Sequence, residues 1–378
     1  MRERPINRTV TLLSSGLDDI LPILEQIQTN RMRVSLRTFK LGFVPLAALA
    51  ALVSCSSPGG EVSLTGAGAT FPAPIYQRWF NEYQSVAHVQ INYQPIGSGG
   101  GIRAITEGTV DFGASDMPLT DAQLAAFQEK HGFPVLLFPT VLGAAVPAYN
   151  LSGITQDLNF TPQALAGIFL GTIKAWNDPA IAQANPGVKL PADPIVVVHR
   201  SDGSGTTFCW TDYLCKISPE WSSKIGKNTS VNWPVGLGAK GNDGVAGLIK
   251  QQPGSLGYVE LIYAVQNHLP YGKVRNSAGE FVKADLQSVT AAAAALKSTP
   301  SDLRVSITDE PGNSVYPIST FTWLLVPQKI SDPGQRKAMT GFLKWAITTG
   351  QNSVEALNYA RLPQSFVEKE QEQIGKIQ

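Results

Sequence analysis

Cysteine, histidine and charge are all scarce in this chain, and each scarcity closes off a class of function. Three of its 378 residues are cysteine and four are histidine. His88, His131, His199 and His268 are scattered, and none stands at a ligand interval from another histidine or a cysteine, so no metal site is expected. Charged residues make up 16% of the sequence, and the formal net charge is +1. The first 54 residues hold seven of the 30 basic and four of the 29 acidic residues, which leaves the remainder with two more acids than bases. Such a chain has no basic face for nucleic acid to follow. Any anion it binds must be held by local dipoles rather than by overall charge. Neither G-x-S-x-G nor G-K-[ST] occurs, so a nucleophile elbow and a P-loop are both excluded. No repeat of solenoid period is visible.

What is present begins with a targeting signal. Arg33, Arg37 and Lys40 precede an apolar run, Leu41 to Val53, that falls short of the ~20 residues of a membrane span. Leu52-Val53-Ser54-Cys55 closes it in the manner of a bacterial lipobox. Residues 32–54 read as a lipoprotein signal peptide, with Cys55 as the lipidation site and 55–61 as anchor and tether. A plain signal peptide with an incidental cysteine is the alternative. Residues 1–31 precede a second methionine, Met32, and read as a non-native extension from a mis-assigned start. Cys209 and Cys215 remain. If both lie on one helix they stand roughly 9 Å apart at ~1.5 Å per residue, too far for a disulfide, so free thiols are the favoured reading.

The sequence is 43% hydrophobic and long enough for two cores. Strand and helix signals alternate from Val62 onward, as in an α/β protein. Two long apolar strand signals, Val135 to Leu151 and Tyr316 to Pro327, suit a chain that crosses twice between lobes. They place one lobe at 62–140 plus 317–378 and the other at 141–316. Thr161 to Gly187 reads as two helical pieces joined around Asn177-Asp178-Pro179, and Thr290 to Ser298 as an exposed helix. PIVVVHR reads as a buried parallel strand with Arg200 at its carboxyl end, where open α/β sheets bind ligands.

Three Gly/Ser/Thr-rich segments carry the chemistry. They are Gly66 to Pro74 (GAGATFPAP), Pro95 to Gly101 (PIGSGGG) leading to Asp111–Pro118 (DFGASDMP), and His199 to Thr207 (HRSDGSGTT). Each sets small residues and a hydroxyl at a helix start, where backbone donors and a positive dipole end are free to hold an oxyanion. Taken singly, each is an ordinary turn. Together they supply hydroxyls, one arginine (Arg200) and one carboxylate (Asp116). A carboxylate that can only accept belongs in an anion site only if the anion still carries a proton, which points to phosphate rather than sulfate.

LTGAGATFPAP (Leu64 to Pro74), INYQPIGSGGGI (Ile91 to Ile102), DFGASDMPL (Asp111 to Leu119), RSDGSGTTF (Arg200 to Phe208), WPVGLGAKGNDGVAGLI (Trp233 to Ile249) and PGSLGYVE (Pro253 to Glu260) resemble, in order and spacing, the phosphate-binding lipoprotein of high-affinity phosphate ABC importers. The resemblance runs from about Val62 to about Val367 and implies a type II periplasmic binding protein, α/β in class, with two lobes joined by a two-stranded hinge. It implies phosphate contacts at Thr70, Phe71 (through its backbone N–H), Ser98, Asp116, Arg200, Ser204, Gly205 and Thr206. Asp202 is positioned to hold the Arg200 fork. The implied partners are inorganic phosphate, membrane permease subunits with a cytoplasmic ATPase, and the lipid bilayer through Cys55. The implied location is the periplasm or cell surface, and no cofactor or metal is implied.

Two other readings compete. A receptor for another tetrahedral oxyanion such as sulfate would have no use for Asp116. A serine hydrolase or phosphatase would need a base beside its nucleophile. His199 is the nearest, but alternation along the strand turns it away from Arg200.

Overall fold

A computed structural model describes residues 62–378. The expected extension, signal peptide, Cys55 and tether therefore lie outside the described residues. The chain runs β1 (Val62–Gly68), α1 (Ala73–Ala87), β2 (Val89–Gln94), α2 (Ser98–Glu107), β3 (Phe112–Ser115), α3 (Asp121–His131) and β4 (Val135–Asn150). It continues through β5 (Asn159–Phe160), α4 (Pro162–Phe169), α5 (Pro179–Ala182), β6 (Val196–Arg200), α6 (Gly205–Ile217) and α7 (Pro219–Lys224). Next come β7 (Leu237–Ala239), α8 (Gly241–Gln251), β8 (Ser255–Glu260), α9 (Leu261–Gln266), β9 (Lys273–Arg275), β10 (Phe281–Val282) and α10 (Leu286–Ala294). The chain returns through β11 (Ser319–Pro327), α11 (Pro333–Ala346) and α12 (Gln364–Ile374).

Eight strands form one sheet in the order β2-β1-β3-β11-β4-β8-β6-β7, and β10-β9-β5 form a small second sheet. The long strand β4 makes the larger sheet continuous. Its first part, Val135 to Ala144, pairs antiparallel with β11, and its last six residues, Ala145 to Asn150, pair antiparallel with β8. Nearly every side chain of β4 is buried, as expected of a run covered on both faces. On one wing β1 is parallel to β2 and β3, and on the other β6 is parallel to β7 and β8. Two α/β lobes thus share a middle made of β4 and β11. The register slips between Thr322 and Trp323, which leaves Thr140 as the extra residue of a bulge on β4.

Helices cover both wings because their apolar positions recur at helical spacing. In α1, Ile75, Tyr76, Trp79, Phe80 and Tyr83 face inward, and the helix stops where His88 takes a left-handed φ of 53°. Thr161 to Gly187 holds two helical pieces as expected, α4 and, behind the Asp178 cap, the single turn α5. One expectation needs correction. The alanine-rich helix begins earlier, at Leu286, behind an Asp285 cap, and it buries Val289, Ala292 and Ala293 instead of lying exposed. Cys209 and Cys215 are both unpaired on α6, the first buried and the second half-buried.

Candidate anion site

The parallel strands of both wings end at one place, and each of them runs on into a helix start. β1 leads into Thr70 and Phe71 before α1. Three consecutive carbonyls there take tyrosine hydroxyls: Tyr93 donates to Ala69 O at 2.7 Å, Tyr263 to Thr70 O at 2.6 Å and Tyr359 to Phe71 O at 2.6 Å. Across planar trans peptides this sets the N–H groups of Thr70 and Phe71 on the side away from the tyrosines. Beyond β2, Gly97 caps α2 with a φ of 89°. A Cβ on Gly97 would lie 2.3 Å from Asp202 Oδ2, so only glycine lets the two segments meet. Ser98 opens α2 and is fully buried.

Asp116 comes directly after β3 and is 1% exposed. Its Oδ1 accepts the Thr322 hydroxyl at 2.8 Å, and Ser98 Oγ lies 3.5 Å from Oδ2. Burial pushes its carboxyl up to about 7, against the opposing pull of the Thr322 hydrogen bond, the Arg200 charge and Ser98. Arg200 ends β6, 3% exposed. Its Nε and Nη2 donate to Asp202 Oδ1 and Oδ2 at 2.8 and 2.6 Å, the two-point geometry of a guanidinium on a carboxylate. Burial would raise the Asp202 carboxyl, but the Arg200 bonds and charge together hold it below the usual carboxylate range. That pair locks the arginine fork and cancels its charge locally. Ser204 caps α6, accepting from Thr207 N at 3.1 Å, and Gly205 and Thr206 form the first turn.

The wings touch through these same residues. Gly205 N donates to Ser98 Oγ at 2.9 Å, and Gly99 N donates to Gly203 O at 2.9 Å. A Cβ at Gly205 would fall 2.5 Å from Asp116 Oδ2 and 2.5 Å from Ser98 Oγ. Arg200 Nη1 reaches Thr206 Oγ1 at 3.4 Å. All eight residues expected from the sequence, with Asp202 beside them, therefore converge on one buried place. It is rich in donors and holds Asp116, a carboxylate that no basic side chain pairs by direct hydrogen bond; Glu260, fully buried and bonded by Ile262 N and Tyr359, is a second such carboxylate beside it.

Sequence reasoning missed five contributors. Asn242, in the first turn of α8, bonds Thr70 and Thr206. Thr322 holds Asp116 from β11, and Tyr93, Tyr263 and Tyr359 hold the loop after β1. The one available signal was a polar residue within an apolar strand (Thr322) or at a helix start (Asn242). Nothing in the spacing says that either reaches the site. His199 takes no part: its ring stacks on Trp233 with centroids 4.9 Å apart, and its Nδ1 meets the Arg200 carbonyl at 3.0 Å. Among the described residues, no group of three or more His, Cys, Asp or Glu side chains could hold a metal ion.

Residues 56–349 match the PBP superfamily domain. The Phosphate-binding protein PstS of Xylella fastidiosa (strain Temecula1) is 45% identical over 322 residues, covering 84% of this chain and 87% of its own length. That of Pasteurella multocida is 44% identical over 313 residues, covering 82% and 89%. Among solved structures, a high-affinity periplasmic phosphate-binding protein (PfluDING) bound with phosphate superposes with a TM-score of 0.68. It is 20% identical and covers 82% of this chain and 93% of its own, a likeness of fold.

Proposed function

The chain belongs to the family of PstS phosphate-binding proteins, and on that premise we propose that it captures inorganic phosphate between its lobes and delivers it to an ABC importer. The observation that carries this reading is the pairing of a buried acceptor, Asp116, with a surround of donors. Thr70, Ser98, Ser204 and Thr206 offer hydroxyls, Thr70 and Phe71 offer backbone N–H groups, Gly205 allows close approach, and Arg200 offers its fork. Phosphate satisfies both sides, because its ionised oxygens accept and its proton is donated to Asp116. Sulfate at neutral pH has no proton to give and would set an anionic oxygen against a buried carboxylate. Once Asp116 is ionised, above about pH 7, leaving such a charge unmatched costs up to about 3–5 kcal/mol, a factor of hundreds to thousands.

The lobes are read as 62–140 plus 317–378 and 141–316, closing on the anion as a hinged clamp. Ligand drives closure because its contacts are split between them, and it binds the closed form better. Lipidation at Cys55 would keep the protein on the outer side of the membrane, in the periplasm or at the cell surface, where permease subunits coupled to an ATPase receive the cargo. The work is read as binding, since His199, the histidine next to Arg200, stacks on Trp233 instead of meeting a site serine. Calorimetric titration with phosphate, then sulfate, tests the reading. At about pH 9, where Asp116 is ionised, a 1:1 phosphate isotherm with sulfate at least about 100-fold weaker is expected; equal affinities, or none for phosphate, would overturn it.

A further inference from the structure

Asn242 is fully buried between the wings, and its amide is oriented without ambiguity. The backbone N–H of Glu260, which can only donate, meets Asn242 Oδ1 at 2.9 Å. The other end of the amide must then be the NH2 group. Its hydrogens go to two hydroxyls: Nδ2 lies 2.8 Å from Thr70 Oγ1 and 3.2 Å from Thr206 Oγ1. Each hydroxyl also receives a second donor. The Asn242 backbone N–H lies 3.4 Å from Thr70 Oγ1, and Arg200 Nη1 lies 3.4 Å from Thr206 Oγ1.

A threonine hydroxyl has two lone pairs and one proton. With both lone pairs engaged, Thr70 and Thr206 have one capacity left, which is to donate. We propose that Asn242 is a positioning residue that fixes the polarity of these two hydroxyls, so that they accept no proton from the ligand and bind only its ionised oxygens. The phosphate proton is thereby turned away from both threonines and toward Asp116. The device works only in the closed molecule. Thr70 lies just beyond β1 on one wing, whereas Asn242 and Thr206 stand on the wing of β6, β7 and β8. Separation of the wings removes both donors from Thr70 and frees its hydroxyl to turn. Closure and donor polarity are therefore one event.

This proposal rests on the phosphate reading, and a double-mutant cycle separates the two. Phosphate affinity is measured by calorimetry for the parent chain, Asn242→Ala, Thr70→Val with Thr206→Val, and the triple variant, each checked for a cooperative thermal transition. Loss of hydrogen bonds to a charged ligand predicts about 10- to 100-fold weaker binding for Asn242→Ala. In the valine background the same change should cost less than about threefold, because the hydroxyls it acts through are gone. An equal cost in both backgrounds, or parent-like affinity for Asn242→Ala, overturns the proposal and leaves phosphate binding standing. A parent chain that does not bind phosphate overturns the functional reading itself and this proposal with it. If the variants do not fold, the parent suffices: in the phosphate complex, the Thr70 and Thr206 hydroxyl protons should show scalar coupling to ³¹P by NMR. Resolved hydroxyl protons without that coupling would overturn the assignment.

Discussion

Thr322 on β11 donates its hydroxyl to Asp116 Oδ1 at 2.8 Å, while Oδ2 has only Ser98 Oγ, at 3.5 Å. One oxygen of the carboxylate is thus committed to the fold, and the other is not. In the proposed reading, selectivity depends on the charge state of this one side chain, and that can be changed at will.

Asp116→Asn replaces an obligate acceptor with a group that can also donate. Sulfate should gain and phosphate lose, narrowing their ratio by at least about tenfold, the equivalent of ~1.4 kcal/mol. Competition titration with both anions measures it, and an unchanged ratio would remove Asp116 from the filter.

The same group contributes to the pH dependence of stability, alongside Glu260 and Glu370, whose carboxyls burial also raises. Burial holds the Asp116 carboxyl up to about 7, whereas in the unfolded chain it titrates near the usual ~4. Between those values the folded protein binds the extra proton, so stability is greatest at the acid end and falls as pH rises toward 7. Thermal melting of anion-free protein between about pH 5 and about pH 8 should show this fall, with a shallower slope in Asp116→Asn. Over the same range sulfate affinity should rise as pH drops, because protonated Asp116 becomes a donor. A sulfate affinity flat with pH would contradict this.

Gly205→Ala tests closure. The added methyl would sit 2.5 Å from both Asp116 Oδ2 and Ser98 Oγ, groups of the opposite wing. Each lobe can fold undisturbed, but they cannot meet. Thermal stability without anion should change by no more than about 1 kcal/mol, and phosphate affinity should fall by more than about 100-fold, the cost of losing at least two charge-assisted hydrogen bonds. Calorimetry and melting curves together separate this outcome from misfolding.

Arg200→Lys retains the charge but gives up the planar fork and the two-point grip of Asp202. A loss of about 10- to 100-fold in phosphate affinity is expected. Parent-like binding would show that charge alone suffices.

The two thiols give a chemical check on the second lobe. Cys215 is half-buried and Cys209 buried, and burial raises both thiols above their ordinary range. A maleimide should modify Cys215 slowly in the native protein and Cys209 only after unfolding, as read by intact mass. Native-state labelling of Cys209 ahead of Cys215 would contradict the packing of α6.

The site was legible in the sequence wherever local chemistry and function coincide. Ser204 before a helix, Arg200 at the end of a valine run, and glycines where backbones nearly touch are all visible as strings. Thr322 and Asn242 were not, because their roles arise from contacts across 206 and 172 positions of the chain. A threonine inside STFTWLLVP reads as one polar residue in a buried strand, and no local rule says which carboxylate it will meet. The alanine-rich helix misled for the complementary reason. Alanine is small enough to pack tightly or to face water, and composition alone does not decide between them.

The uninterrupted run of β4 has a mechanical corollary. A receptor whose halves were tied by loops could swing freely, but here the backbone that leaves one sheet partner at Ala144 takes the next at Ala145. In the proposed clamp, opening is absorbed as torsion within that ribbon and its neighbour β11. The irregular spot at Thr140 gives little, because Tyr76, Thr322 and Gln351 all hold it, and such a jaw has a limited gape.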